Sequence, residues 1–144
     1  MNRSTRFFSI RYWKASFSFY HAFSLLSKGK YSEAIASFNK ILTAELIHNF
    51  ITYSCYKYIG ISFCHLKDFD KSIVSLEKAL NFKELNKKDG ELFAYLGLAY
   101  DSKVNLTEAK KFYELGIKYY KKTDLTDLEL VRARSKKVSD ALGF

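Results

Sequence analysis

The chain has 144 residues, which is enough for one domain or one short repeat array. It contains no proline and only two cysteines, and 48% of its residues are hydrophobic. This composition excludes a disordered chain, a disulfide scaffold and a four-cysteine zinc site. No apolar run approaches the roughly 18 residues that a membrane span needs, so we expect no span.

The net charge of +9 is concentrated at the start of the chain. Residues 1–32 contain six basic residues and no acidic one, and Glu33 is the first carboxylate. An acid-free stretch rich in Arg, Ser and Phe is typical of a mitochondrial presequence. Residues 1–13 therefore form a basic, aromatic N-terminal segment with three interpretations: a presequence, a plug for the groove predicted below, or part of the first helix. We expect a cytoplasmic protein, with a mitochondrial or other organellar location as the alternative.

Three stretches of the chain, at about 14–47, 50–86 and 89–122, share one pattern. Each contains an aromatic helix, a short turn and an amphipathic helix with alanine. Apolar residues recur at i, i+3, i+4 and i+7, which predicts one face of a helix. In the second stretch this face consists of Tyr56, Ile59, Gly60 and Phe63.

The pattern resembles the tetratricopeptide repeat (TPR), a helix-turn-helix unit of about 34 residues. When the copies are aligned on Tyr31, Phe69 and Leu106, they lie 38 and 37 residues apart, so each is longer than that unit by nearly one helical turn. The resemblance implies an all-α fold, a short right-handed α-solenoid of three hairpins. A further helix at 125–142, with one polar face, is predicted to cap the stack.

Small residues recur at equivalent places in the three copies. Glycine inside a helix costs about 1 kcal/mol relative to alanine, so its repeated use predicts close contact between helices. The predicted repeat-packing residues are Ala34, Gly60, Gly97 and Ala109.

No arrangement of residues predicts catalysis or metal binding. Cys64 and His65 are adjacent, whereas facing side chains on a helix are three or four residues apart. CxxC, HxxxH, HExxH and glycine-rich phosphate-loop motifs do not occur. We therefore predict a protein that is not an enzyme, holds no metal and uses no cofactor.

The resemblance also implies a binding groove, because partners of TPR arrays usually bind on the concave face lined by the first helix of each repeat. One family branch grips a terminal carboxylate there with Lys, Asn and Arg, but here Lys57 is the single basic groove residue. We therefore predict an aromatic, apolar groove that binds an apolar peptide of another protein, in a scaffold, an adaptor or a chaperone-like protein. The predicted groove residues are Phe19, Tyr20, Phe23, Lys57, Tyr58, Ile61, Tyr95 and Leu98.

Two alternatives stay open. The groove is filled by the N-terminal segment or by a second copy of the chain, which makes self-association the first alternative. The second is a basic structural subunit of a larger assembly, ribonucleoprotein or organellar, whose basic termini contact phosphates. Lysines alternate with aromatic residues at 110–122, but the spacing of Phe112, Tyr113 and Tyr120 is more typical of a core-facing stripe than of a nucleic-acid surface.

Overall fold

The computed structural model describes residues 3–44, 48–120 and 125–144. The side chains of 3–9, 11, 12 and 125–127 lie outside the description. Within these ranges the chain forms eight helices and no strand. The helices are α1 (Arg3–Ser27), α2 (Tyr31–Leu42), α3 (Asn49–His65), α4 (Phe69–Leu80), α5 (Lys83–Asn86), α6 (Gly90–Ser102), α7 (Leu106–Tyr119) and α8 (Leu125–Ala141).

The long helices pack as consecutive hairpins. α1 packs on α2, α3 on α4 and α6 on α7, and neighbouring hairpins contact each other through α2 with α3 and α4 with α6. α8 packs on α7 at the end of the stack. The predicted all-α fold of three hairpins and a final helix is therefore confirmed. None of the helices described is long and apolar enough to cross a membrane.

The edges of the repeats contain one feature that was not predicted and one that was left open. The one-turn helix α5, between the second and third hairpins, was not predicted. Residues 3–13 belong to α1 without a break, which agrees with one of the three interpretations of the N-terminal segment. The N-terminal segment is thus helical where its backbone is described. Its Phe7 and Phe8, which the plug interpretation used, lie outside the described side chains.

The three hairpin turns have the same backbone geometry. Each contains one residue with a positive φ angle, at Gly29 (74°), Lys67 (60°) and Val104 (61°). Only glycine adopts this left-handed conformation without a steric cost. The following helices α4 and α7 begin with a side-chain cap, because Asp68 and Asn105 accept hydrogen bonds from the third amide beyond them.

Of the predicted repeat-packing residues, the two glycines lie at close contacts between helices. A Cβ atom added to Gly60 would stand 2.5 Å from Cγ of Leu76, and one added to Gly97 would stand 2.5 Å from the ring of Tyr113. Ala34 and Ala109 are fully buried, as are Leu76 and Tyr113. Gly60 and Gly97 thus lie where large side chains of the second helices pack against the first helices.

Candidate functional site

A cavity of about 250 Å³ lies between α3, α6 and α8. Its walls are mainly apolar, with Tyr95 and Leu98 from α6 and Leu130 and Val131 from α8. Leu130 is exposed, although it is a large aliphatic residue on a helix that packs against the stack. The complete lining is Cys64, His65, Ala94, Tyr95, Leu98, Tyr113, Tyr120, Leu130, Val131 and Arg134. We call this space the apolar cavity.

Polar groups at the rim of the apolar cavity are held by neighbours. The His65 ring stacks on Tyr31 with centroids 4.6 Å apart, and its Nε2 lies 3.2 Å from the hydroxyl of Tyr95. Partial burial lowers the pKa of His65, so the ring is neutral at pH 7. Nη1 of Arg134 lies 3.6 Å from a carboxylate oxygen of Asp101. The rim therefore combines one neutral imidazole with one partly compensated guanidinium group.

A second, charged cavity of about 700 Å³ adjoins the first at Tyr120, which lines both. Within it, Nζ of Lys87 lies 2.7 Å from a carboxylate oxygen of Glu84. The complete lining is Lys57, Glu84, Leu85, Lys87, Lys88, Asp89, Gly90, Glu91, Tyr119 and Tyr120. We call this space the charged cavity.

Lys57, itself buried, forms ion pairs with two less buried carboxylates at the junction of α3 and α6. Its Nζ lies 2.8 Å from Oδ2 of Asp89 and 2.7 Å from Oε2 of Glu91, and the Tyr53 hydroxyl donates a 2.5 Å hydrogen bond to Asp89. The residue is only 8% exposed. Burial alone would lower the pKa of Lys57, but the charges of Glu91 and Asp89 outweigh it and raise that pKa. The cation is thus already neutralised by two carboxylates of its own chain.

Asp89 also caps the start of helix α6. Its Oδ1 accepts a 3.0 Å hydrogen bond from the amide of Leu92. Burial by itself would raise the pKa of Asp89, but the charge of Lys57 and the hydrogen bonds from Lys57 and Tyr53 outweigh burial and lower it. Asp89 is therefore ionised at neutral pH and fixes both the helix start and the position of Lys57.

The first junction of the stack is aromatic. Phe23 lies edge-on to Tyr58 with centroids 5.0 Å apart, and Phe19 lies 6.0 Å from the same ring. Phe38 of α2, which is fully buried, lies 5.6 Å from Phe19 and 6.0 Å from Tyr58. These four rings form what we call the aromatic cluster, in which α1 and α2 meet α3.

The predicted groove residues thus separate into distinct surroundings. Tyr95 and Leu98 line the apolar cavity, and Lys57 lines the charged cavity. Ile61 is buried in the core and Tyr20 is exposed on α1. The remaining three, Phe19, Phe23 and Tyr58, belong to the aromatic cluster. The structure does not bring all eight into one cavity.

The cavity wall contributed by α8 was missed in the sequence. That helix was predicted only as a cap, yet Leu130, Val131 and Arg134 line the apolar cavity. A signal for Leu130 existed, because it falls outside the apolar stripe that includes Leu128, Val131 and Val138. A leucine outside the packing stripe of a capping helix is a candidate for contact with a ligand.

The described residues offer no metal site and no reactive thiol. No group of three or more His, Cys, Asp or Glu side chains among them is placed to hold a metal ion. Burial raises the pKa of Cys55 to about 12 and that of Cys64 to about 11, and the hydrogen bond between Cys64 and Ser72 only partly offsets this for Cys64. Both thiols are protonated at neutral pH, which makes them poor nucleophiles.

Comparison with known proteins identifies the fold. No protein-family model matches the sequence, and no curated protein matches it. Among solved structures, the chain is similar to the first TPR domain of Spaghetti (RPAP3) bound to the HSP90 peptide SRMEEVD, with 22% identity, a TM-score of 0.72 and coverage of 92% of this chain and 96% of that one. It is also similar to the Sgt2 TPR domain from Aspergillus fumigatus, with 16% identity, a TM-score of 0.69 and coverage of 91% and 83%. The resemblance predicted from the sequence is therefore confirmed for the fold: the chain folds as an all-α TPR solenoid.

Proposed function

We propose that this protein is a non-enzymatic protein-interaction module that binds an apolar peptide segment in the apolar cavity. The observation that carries the proposal is the wall formed by Tyr95, Leu98 and Leu130 on the side where α3, α6 and α8 meet. Tyrosine and leucine side chains in such a wall provide contact area for an apolar residue of a partner.

The size of the apolar cavity favours a peptide anchor over a metabolite. Sites for drug-sized ligands have volumes of roughly 300–1,000 Å³. The apolar cavity, at about 250 Å³, lies below that range and suits one or two side chains of a longer chain. The peptide continues past Tyr120 into the charged cavity, where residues of either charge find a partner.

The similar RPAP3 domain is bound to the peptide SRMEEVD, in which three of the last four residues are acidic. In this chain the single basic side chain at the predicted groove positions, Lys57, is paired with Asp89 and Glu91. Replacing those internal partners with a peptide carboxylate would leave the largely buried Asp89 and the half-exposed Glu91 without their cation, which is costly. We therefore propose an apolar peptide as the ligand.

We also propose that the protein is cytoplasmic and acts without a cofactor.

The alternative function is a basic subunit that contacts phosphates. The charge of the chain supports this alternative, but the aromatic residues of α7 do not. Phe112 and Tyr113 alternate with lysines in α7, but both rings are buried and unavailable for stacking on bases. Peptide binding therefore remains the better-supported function.

Selection from a random peptide library displayed on phage tests the proposal. We expect the wild-type chain to select peptides with one or two large apolar anchors, and calorimetry then gives their affinity. Tyr95→Ala should weaken binding about tenfold or more, because it removes one wall of the apolar cavity.

Tyr56→Ala is the matched control. Tyr56 belongs to α3 and packs beneath Lys78, with Nζ 5.5 Å from the ring centroid, and it lines neither cavity. We expect Tyr56→Ala to lose about as much stability as Tyr95→Ala and to bind the selected peptides with the affinity of the wild type. Failure to select any peptide, or equal affinity for the wild type and Tyr95→Ala, would refute the proposed function.

A further inference from the structure

Helix α1 carries a row of large, solvent-exposed apolar side chains on its outer face. Ile10, Trp13, Phe17 and Tyr20 are 50%, 75%, 77% and 71% exposed. Single exposed apolar residues are ordinary, but a contiguous apolar patch marks an interaction site. We call these four residues the α1 stripe, and none of them lines either cavity.

The α1 stripe lies on the side of the helix that faces away from the rest of the stack. Trp13 is nine residues before the fully buried Ala22, which at about 100° per residue places it on the opposite side of α1. Phe19 and Phe23, between these two directions, pack on α3. The stripe is therefore not required by the packing of the hairpins that the structure describes.

The spacing of the α1 stripe matches a second helix. Its members are three, four and three residues apart, the a and d spacing of a heptad, and extend about 15 Å along the helix. Ser16 and Ser24, on the same side of α1, have small side chains that permit close approach of a partner. A flat ligand would need a broader surface, whereas one amphipathic helix fits a narrow row.

Charge identifies the chemistry of that helix. α1 contains no acidic residue, and Lys14 borders the stripe because it follows Ile10 by four residues and precedes Phe17 by three. A second copy would place two acid-free basic helices side by side, and like charges repel. We propose that the α1 stripe binds an acidic amphipathic helix of another protein.

An anionic bilayer would also attract a basic helix, but it presents a flat surface, whereas the α1 stripe is a narrow row. Attraction to anionic lipid grows with each basic side chain near the surface. Of the described side chains that border the stripe, Lys14 is the basic one, while Ser16 and Ser24 are neutral. The lipid surface is accordingly a competing outcome in the experiment below.

The chain carries its own reporter for this test. Trp13 is its single tryptophan, so a partner that covers the stripe should shift the fluorescence emission to shorter wavelength. The probe is a synthetic peptide of three heptads with leucine at a and d and glutamate at e and g. The matched probe has lysine in place of glutamate. We expect a saturable shift with the glutamate peptide and at least tenfold weaker binding of the lysine peptide.

Two variants that retain Trp13 locate the contact. Phe17→Ser should weaken binding of the glutamate peptide about tenfold, and Lys14→Glu should reduce the preference for that peptide over the lysine peptide. Val74→Ser, on the exposed side of α4, is the matched control and should bind as the wild type does. Tyr95→Ala should also leave the Trp13 response unchanged, which distinguishes binding at the α1 stripe from peptide binding in the apolar cavity.

Four outcomes would overturn the proposal. These are the absence of a shift with the glutamate peptide, equal affinity for the two peptides, and undiminished binding by Phe17→Ser. The fourth is evidence for a competing occupant, which can take either of two forms. A shift that develops with rising concentration of the chain alone indicates a second copy. A larger shift with phosphatidylserine vesicles than with the peptide indicates a lipid surface.

Discussion

The two junctions between hairpins use opposite chemistry at equivalent repeat positions. Phe19 and Lys57 are 38 residues apart, the spacing of the first two repeats. At the first junction Phe19 packs in the aromatic cluster, and at the second Lys57 pairs with Asp89 and Glu91. The repeat pattern thus determines where helices meet, while one side chain determines whether the meeting point is apolar or ionic.

This difference has physical consequences. Burial of the aromatic rings depends little on pH, because those side chains do not titrate near neutrality. The ionic junction depends on the ionisation of Asp89 and on both partners being present. Substitutions at the two junctions should therefore differ in how their effect on stability depends on pH.

Phe38→Ala should have the largest effect. The ring is fully buried and contacts Phe19 and Tyr58, so its removal leaves a cavity in the aromatic cluster. We expect the free energy of unfolding to fall by about 3–5 kcal/mol. Urea denaturation at pH 7 and pH 5 should give the same loss. A loss below about 1 kcal/mol would mean that the cluster does not hold the first junction.

Lys57→Met should have the second largest effect. We expect the free energy of unfolding to fall by about 3 kcal/mol, because the change leaves Asp89 and Glu91 near each other without their cation. The control is Lys40→Met, at an exposed lysine of α2, where we expect a change within about 0.5 kcal/mol. Chemical denaturation of both variants measures the difference. Equal stability of the two variants would contradict the ionic account of the second junction.

Asp89→Asn separates charge from helix capping, since asparagine also caps helices well. The pKa of Asp89 is lower in the folded chain than its ordinary value near 4. Its contribution to stability is therefore present above that ordinary value and is lost as the pH falls through the folded pKa. Between pH 5 and pH 3 the wild type should lose more stability than Asp89→Asn. If the wild type and Asp89→Asn lose the same stability over this pH range, other groups control acid unfolding.

Val104→Gly should have the smallest effect and a favourable one. The hairpin turns share one backbone geometry even though the junctions differ, and Val104 adopts the left-handed conformation that Gly29 adopts in the first turn. Removing this strain should raise the stability by about 0.5–1 kcal/mol, as judged from thermal unfolding. The reciprocal change, Gly29→Ala, should lower it by a similar amount. A destabilised Val104→Gly would show that the turn is not strained.

The fold could be predicted because its determinants are local. Apolar residues at helical spacing and turns repeated after 38 and 37 residues define the hairpins without knowledge of any contact. The helix α5 could not be predicted, because its four residues are too few to show a periodic face. Lys57 was predicted as a groove residue, but its ion pairs join residues 32 and 34 positions apart, which no local spacing reveals.

The site was harder to predict than the fold for the same reason. Tyr95 and Leu98 were selected by their repeat position, whereas the opposite wall of the apolar cavity belongs to α8, outside the repeats. The repeat pattern also treats equivalent positions alike, so it gave no reason to separate the buried Ile61 from the cavity-lining Leu98. Both distinctions depend on how the last helix packs.

The most direct test of the account is the affinity of a selected apolar peptide for Leu130→Glu and Val74→Glu. Both residues are about half exposed, at 56% and 54%, so neither change should unfold the chain. Leu130 lines the apolar cavity and Val74 does not. We predict at least a tenfold loss of affinity for Leu130→Glu and none for Val74→Glu. Undiminished binding by Leu130→Glu would contradict the assignment of the apolar cavity as the peptide site.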